Sequence, residues 1–213
     1  MTDADLAKYM AVDVETTGLD PAVDRIKSIG AVVGNRRTGI LHKMRTMVDA
    51  EGQPSAPDAL RIHRIPDIVE GAMTPRRALQ LLEGVRDGAL VLMHHKAYDG
   101  PMLKMAYTRA GLTIPSYLLD LDTVEDTMEI GKKFYPGKPT GLSSLVRAAG
   151  LLPDLLKGRN DQHDSLEDAT MCFELWRRHA GGTSLDLVAP PEQAAATKRP
   201  NGGAAAIGLN WMS

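Results

Sequence analysis

The sequence predicts an α/β domain built on a mixed sheet: three antiparallel strands plus parallel strands, flanked by helices. Three observations predict it. Residues 8–48 hold three apolar stretches rich in branched side chains and joined by short links, the pattern of a meander. A short apolar run at 89–93 lies between two segments of helical spacing, as in strand–helix alternation. A well-marked helix follows residue 163, and beyond 180 the composition turns to Ala, Gly and Pro with little periodicity. The chain thus divides into a domain, 1–180, and a flexible tail, 181–213.

In order, Lys8 to Val14 reads as the first strand, Ile26 to Val33 as the second, and Ile40 to Val48 as the third. Gly34-Asn35 is the turn signal between the last two. Prolines at 54 and 57 mark a loop, and a short helix containing Ala59, Leu60, Ile62 and His63 follows. Thr74-Pro75 opens a clearer helix, because threonine suits the cap and proline the first helical position. Ala78, Leu81, Leu82 and Val85 keep its spacing, and Asp87-Gly88 ends it. Ala89 to Met93 is most simply a buried strand. Leu103, Ala106, Tyr107 and Ala110 give the next helix, closed by Gly111. Pro101 fits only its first turn, which puts Asp99 at or near its start. Tyr117 to Leu121 reads as a further strand, and a helix runs from Asp122 or Thr123 toward Phe134. Thr140 caps one more, with Leu142, Leu145, Val146 and Ala149 on one face. Asp164-Ser165-Leu166-Glu167 has capping-box form, and Leu166, Ala169, Phe173 and Trp176 supply the apolar face of the last helix.

The chain has 213 residues, 43% hydrophobic and 24% charged, which is enough for a substantial core. A net charge of -2 gives no global basic field, so binding of a polyanion needs a local site. Cys172 is the only cysteine, which excludes an intrachain disulfide and fits a reducing, cytoplasmic setting. The polar N-terminus is unlike a signal peptide, and no apolar run reaches the ~18 residues of a membrane span. The sequence has no internal repeat, and nothing in it explains the eleven methionines.

The stretch Val12-Asp13-Val14-Glu15-Thr16-Thr17-Gly18 is a strand running into a turn. Side chains alternate along a strand, so Asp13 and Glu15 share one face and the two valines the other. Carboxylates this close resist joint ionisation unless a cation lies between them. Alone, the pair is also compatible with a solvated strand face. Partners lie downstream. Asp99 follows a buried strand, where open α/β sheets place their sites. Asp168 lies in the first turns of the last helix, five residues after His163. On one continuous helix these two would point about 140° apart. With Asp164 as the cap, His163 lies outside the helix and can turn toward the same site. Oxygen ligands suit magnesium or manganese. Two such cations about 4 Å apart can clamp a phosphodiester, and a histidine with pKa near working pH can take the proton of an attacking water.

Three motifs, VDVETTG at 12–18, HHKAYDGPML at 94–103 and HDSLEDA at 163–169, resemble those of the DnaQ-like, or DEDDh, 3′→5′ exonucleases. The resemblance covers about 8–180, in the family's order and separation. It implies a ribonuclease H-like fold and two Mg2+ or Mn2+ ions. Asp13 would bridge both metals, Glu15 and Asp168 would complete the site of the water-activating one, Asp99 would hold the other, and His163 would be the general base. Thr16, Thr17, Gly18 and Leu19 match the stretch that meets the terminal nucleotide, with His63, His95 and Tyr98 as further substrate contacts. The implied activity is removal of nucleoside monophosphates from the 3′ end of single-stranded nucleic acid. DNA proofreading or end trimming comes first, RNA trimming second, and a non-catalytic binding module third. Proofreading would need a polymerase or replication partner in trans, for which the apolar tail end, Ile207 to Ser213, is a candidate docking peptide.

The chain departs from the family in having His95 where asparagine is frequent, Tyr98 where phenylalanine is, and Arg64 in place of a glycine after His63. His94 and His95 are adjacent and face opposite ways in a strand, which argues against a joint metal site. Lys96 and Arg159 neighbour the motifs and are the better phosphate contacts, whereas Lys132-Lys133 and Arg36-Arg37 read as solvated surface. Trp176 and Phe173 read as core, and Cys172 as an inert helix residue.

Overall fold

The structure, a computed structural model, describes residues 6–151, 153–157, 159 and 162–179. Residues from 180 onward, which include the expected tail 181–213 and its docking end, lie outside the described residues. Five strands form one sheet: β1 (Tyr9–Thr16), β2 (Ile26–Asn35), β3 (Gly39–Met47), β4 (Leu90–Met93) and β5 (Glu125–Asp126), in the order β3-β2-β1-β4-β5. The first three form the expected antiparallel meander, and β4 and β5 are added in parallel beyond β1. The mixed sheet is the predicted one.

Alternation along β1 sorts its side chains between two cores. Met10, Val12 and Val14 pack with Leu79, Leu82, Met102 and Leu103, from α2 (Pro75–Arg86) and α3 (Lys96–Arg109). Ala11 packs the other way, with Val32, Leu92 and the Ala169, Cys172, Phe173 and Trp176 stripe of α8 (Ser165–His179). Asp13 and Glu15 continue this second face, beyond the end of its apolar part. Trp176 and Phe173 are fully buried, each contributing roughly 1.5–3 kcal/mol to the hold of α8 on the sheet.

Four details differ from the sequence reading. Tyr117 to Leu121 is not a strand: α4 (Ser116–Leu119) follows Pro115, and a 3-10 turn (Leu121–Thr123) leads into β5. A short apolar run does not distinguish strand from buried helix, and the true strand is the two polar residues after it. The helix expected from Asp122 or Thr123 begins at Thr127, as α5 (Thr127–Phe134). Pro101 lies beyond the first turn of α3, because that helix starts early. The Asp126 carboxylate accepts from the backbone N–H groups of His95 (2.9 Å) and Lys96 (3.1 Å), and also from Met128 at the start of α5 (2.9 Å). One side chain thus caps two helices. Finally, Gly141 rather than Thr140 precedes α6 (Leu142–Ala148), without a side-chain cap.

Two short helices complete the domain, α1 (Pro57–His63) and α7 (Pro153–Lys157). No helix of the described residues is long and apolar enough to cross a membrane.

Candidate active site

A cleft of about 720 Å3 opens where β1 ends. Asp13, Glu15, Asp99, His163 and Asp168 all line it, so the structure gathers the five residues that the three motifs supplied. Asp13 and Glu15 come from β1, Asp99 from the first turn of α3, and Asp168 from the first turn of α8.

A glycine allows α8 to reach this place. Gly30 stands opposite Asp13 in the β1–β2 register. A Cβ on Gly30 would lie 2.2 Å from the Ser165 carbonyl carbon, so the start of α8 rests on bare backbone. Ser28 and Ser165 share a hydroxyl hydrogen bond of 2.6 Å at the same contact. Asp164 Oδ1 accepts from the N–H groups of Leu166 (3.0 Å) and Glu167 (3.2 Å), and its other oxygen pairs with Arg45 at 2.6 Å. His163 therefore lies outside α8, as the cap predicted. Its backbone N–H donates to Ile62 of α1 (3.1 Å), and its Nδ1 lies 3.2 Å from Asp168 Oδ2.

The electrostatics are those of crowded acids. Burial, then the charges of Asp168, Asp99 and Glu15, push the Asp13 carboxyl well above the usual range. Burial raises Asp99 likewise, against a backbone hydrogen bond with Val14. Glu15 is pushed up to about 7, by burial and then by Asp168, with His163 opposing. The His163 imidazole also moves up, because its hydrogen bond to Asp168 outweighs burial.

The donor set fits a hard divalent cation. Glu15, His163 and Asp168 each offer an atom within 4.8 Å of the others. Glu15 Oε1 is buried and makes no hydrogen bond among the described residues. An oxygen-rich, partly unsatisfied acidic cluster is what such a cation relieves.

The expected substrate contacts divide. Thr16, Gly18, Leu19, His63, His95 and Tyr98 line the cleft, and Leu19 is 80% exposed. Thr17 is fully buried and spent on its own loop, donating to Asp24 (2.8 Å) and accepting from the Arg25 N–H (2.9 Å). Tyr98 explains its departure from phenylalanine: its hydroxyl pairs with Thr16 Oγ1 (2.5 Å) and donates to the Gly18 carbonyl (3.1 Å). His95 and Arg64 occupy left-handed backbone, at φ of 68° and 57°. Asparagine and glycine are the residues that tolerate this region best, which is why they suit these positions. The His63 ring lines the cleft and accepts the Ile65 N–H on Nδ1 (2.9 Å), so its proton lies on Nε2, which is buried.

Of the two basic candidates, Lys96 is committed elsewhere, donating to the Leu121 (2.7 Å) and Val124 (3.0 Å) carbonyls. Arg159 lines the cleft and pairs with Asp168. Cys172 is buried, with its thiol pushed up by burial, as an inert residue should be. Two contributors had no role in the sequence reading. Arg45 gave no signal, being one basic residue on an edge strand. His94 opens the second motif but was given no role, and its half-buried ring meets Thr127 Oγ1 at 2.9 Å and lines the cleft.

The RNase T exonuclease family matches residues 10–176. The DNA polymerase III epsilon subunit of Pasteurella multocida is 26% identical over 188 residues, which is 84% of this chain and 70% of that protein. The PolC-type DNA polymerase III of Lacticaseibacillus paracasei is 29% identical over 61% of this chain, which spans only 9% of that protein. Escherichia coli exonuclease I, in complex with a dT13 oligonucleotide, superposes with a TM-score of 0.66 at 15% identity, over 80% of this chain and 40% of its own. The last likeness is one of fold. The chain belongs to the RNase T family of exonucleases, as a DnaQ-like 3′→5′ exonuclease domain on a ribonuclease H-like fold.

Proposed function

We propose that this domain is a metal-dependent exonuclease that hydrolyses the terminal phosphodiester at the 3′ end of single-stranded DNA. The carrying observation is the convergence of Asp13, Glu15, Asp99 and Asp168 on one cleft, with His163 beside Asp168. Asp13, Glu15, Asp99 and Asp168 would hold two divalent cations, Mg2+ or Mn2+. Bound there, these neutralise the carboxylates and the charge developing on the phosphate. Thr16, Gly18, Leu19, His63, His95 and Tyr98 frame the terminal nucleotide. Thr17 supports the loop that carries Thr16, Gly18 and Leu19. His163 takes the proton of the attacking water and is oriented for this by Asp168. The P–O bond to the penultimate 3′ oxygen breaks, releasing a nucleoside 5′-monophosphate and a strand with a new 3′ hydroxyl. The DNA polymerase III relatives support DNA over RNA, and the epsilon-subunit relative supports a polymerase as the partner in trans.

The test uses matched 5′-labelled DNA and RNA oligonucleotides with wild type and Asp13→Ala, in magnesium, manganese or EDTA. A metal-dependent ladder shortening from the 3′ end, faster on DNA and absent in the variant, is expected. Faster degradation of RNA would overturn the substrate assignment, and intact strands in every lane would overturn the activity.

A further inference from the structure

One cation already sits in the acidic cluster. The Arg159 side chain is 4% exposed, and its guanidinium pairs with Asp168 and lies 3.8 Å from Glu167. The pairing with Asp168 is close but poorly directed. Neither Arg159 Nη2 nor Asp168 Oδ1 makes a hydrogen bond, with each other or elsewhere among the described residues. Arginine and a carboxylate that are settled partners form two parallel N–H···O bonds. Arg159 and Asp168 instead satisfy each other's charge and leave each other's hydrogen bonding unmet. Such a pair is readily exchanged for better partners, because burying polar atoms without hydrogen bonds is costly.

Better partners for both are implied by the reaction. Asp168 belongs to the proposed metal ligand set, and Oδ1 is its oxygen left without a hydrogen bond. Arg159 faces a cleft lined by Asp13, Glu15, Asp58, Asp99 and Asp168, in which Arg147 is the only other arginine or lysine among the described residues. A phosphodiester entering such a lining needs every cation available.

The geometry points to Arg159 as an exchangeable counter-cation: it holds Asp168 until a divalent cation displaces it, and then binds the phosphate of the incoming strand. This rests on the metal-dependent reading above. Two ligands should therefore respond in opposite directions to one substitution. Removing the charge frees Asp168 for metal and deprives the strand of a phosphate contact.

The experiment is calorimetric titration of the full chain with Mn2+ alone, for wild type, Arg159→Gln, Arg159→Lys and Asp13→Ala. Binding of a 5′-labelled oligothymidine in Ca2+ is measured in parallel. Arg159→Gln should bind Mn2+ about tenfold more tightly and the oligonucleotide about tenfold more weakly, with Arg159→Lys near wild type in both. Its metal-free melting temperature should fall, and the rise on adding Mn2+ should exceed that of wild type. Equal Mn2+ affinity in Arg159→Gln and wild type, or weaker affinity in the variant, overturns the exchange and leaves the metal site standing. No Mn2+ binding by wild type overturns both the exchange and the metal-dependent reading.

Discussion

Gly30 and Ser165 touch backbone to backbone: a methyl group on Gly30 would lie 2.2 Å from the Ser165 carbonyl carbon and the same distance from its oxygen. Gly30 also faces Asp13 across the β1–β2 ladder. This one contact sets the distance between the acids of β1 and those of α8. Gly30→Ala must push α8 off the sheet. A destabilisation of about 2–3 kcal/mol in urea unfolding is expected, with loss of most activity even below the melting temperature. An alanine variant with wild-type stability and turnover would show that α8 is not placed by this contact.

His163 is held by three anchors, the Ile62 carbonyl, the Asp164 cap and Asp168. His163→Ala removes the proposed base and leaves four carboxylates. Turnover should fall by roughly 10²–10⁴, with Mn2+ affinity within a few-fold of wild type. Calorimetry with Mn2+ separates the two effects; a collapse of metal binding would make the histidine a ligand instead of a base.

The raised carboxyl of Glu15 has a signed consequence for stability. Its pKa moves from the usual 4.5 to about 7 on folding, so the folded state binds that proton more tightly than the unfolded one. Acid therefore favours folding here. The contribution is complete below 4.5 and lost as pH rises through about 7. The upward shift of His163 acts in the same direction. Without divalent metal, the melting temperature should rise as pH is lowered from about 7 toward 4.5, and Glu15→Gln should flatten that slope. Identical pH slopes in the two proteins would contradict this.

Tyr98 joins Thr16 and Gly18 through its hydroxyl. Tyr98→Phe keeps the ring and removes this brace. A stability loss of about 1 kcal/mol is expected, with a higher KM for oligonucleotides and a nearly unchanged kcat. Unchanged KM would place the hydroxyl outside substrate binding.

Arg64 adopts φ of 57° at the end of α1. Glycine reaches this conformation without a Cβ clash, so Arg64→Gly should stabilise the fold by up to about 1 kcal/mol. A thermal melt decides it; a lower melting temperature would mean that the arginine side chain supplies compensating contacts.

The sequence by itself determined the meander, the buried strand at 90–93, and the face shared by Asp13 and Glu15, because these follow from local periodicity. It also determined that His163 lies outside the last helix, because capping is a matter of neighbouring residues. What only the tertiary structure decided involves partners distant along the chain. Asp126 starts α3 from thirty residues downstream, so no local signal marked that start. β5 is two polar residues that become a strand only by pairing with Leu92 and Met93. Thr17 turned inward because Asp24 and Arg25 close its loop, while Tyr98 reached across to Thr16 and Gly18. Arg45 meets Asp164, and Arg159 meets Asp168, because α8 comes to rest on Gly30. Motifs record which groups the chemistry needs; the packing that brings them within reach of one another is written in residues that carry no chemistry of their own.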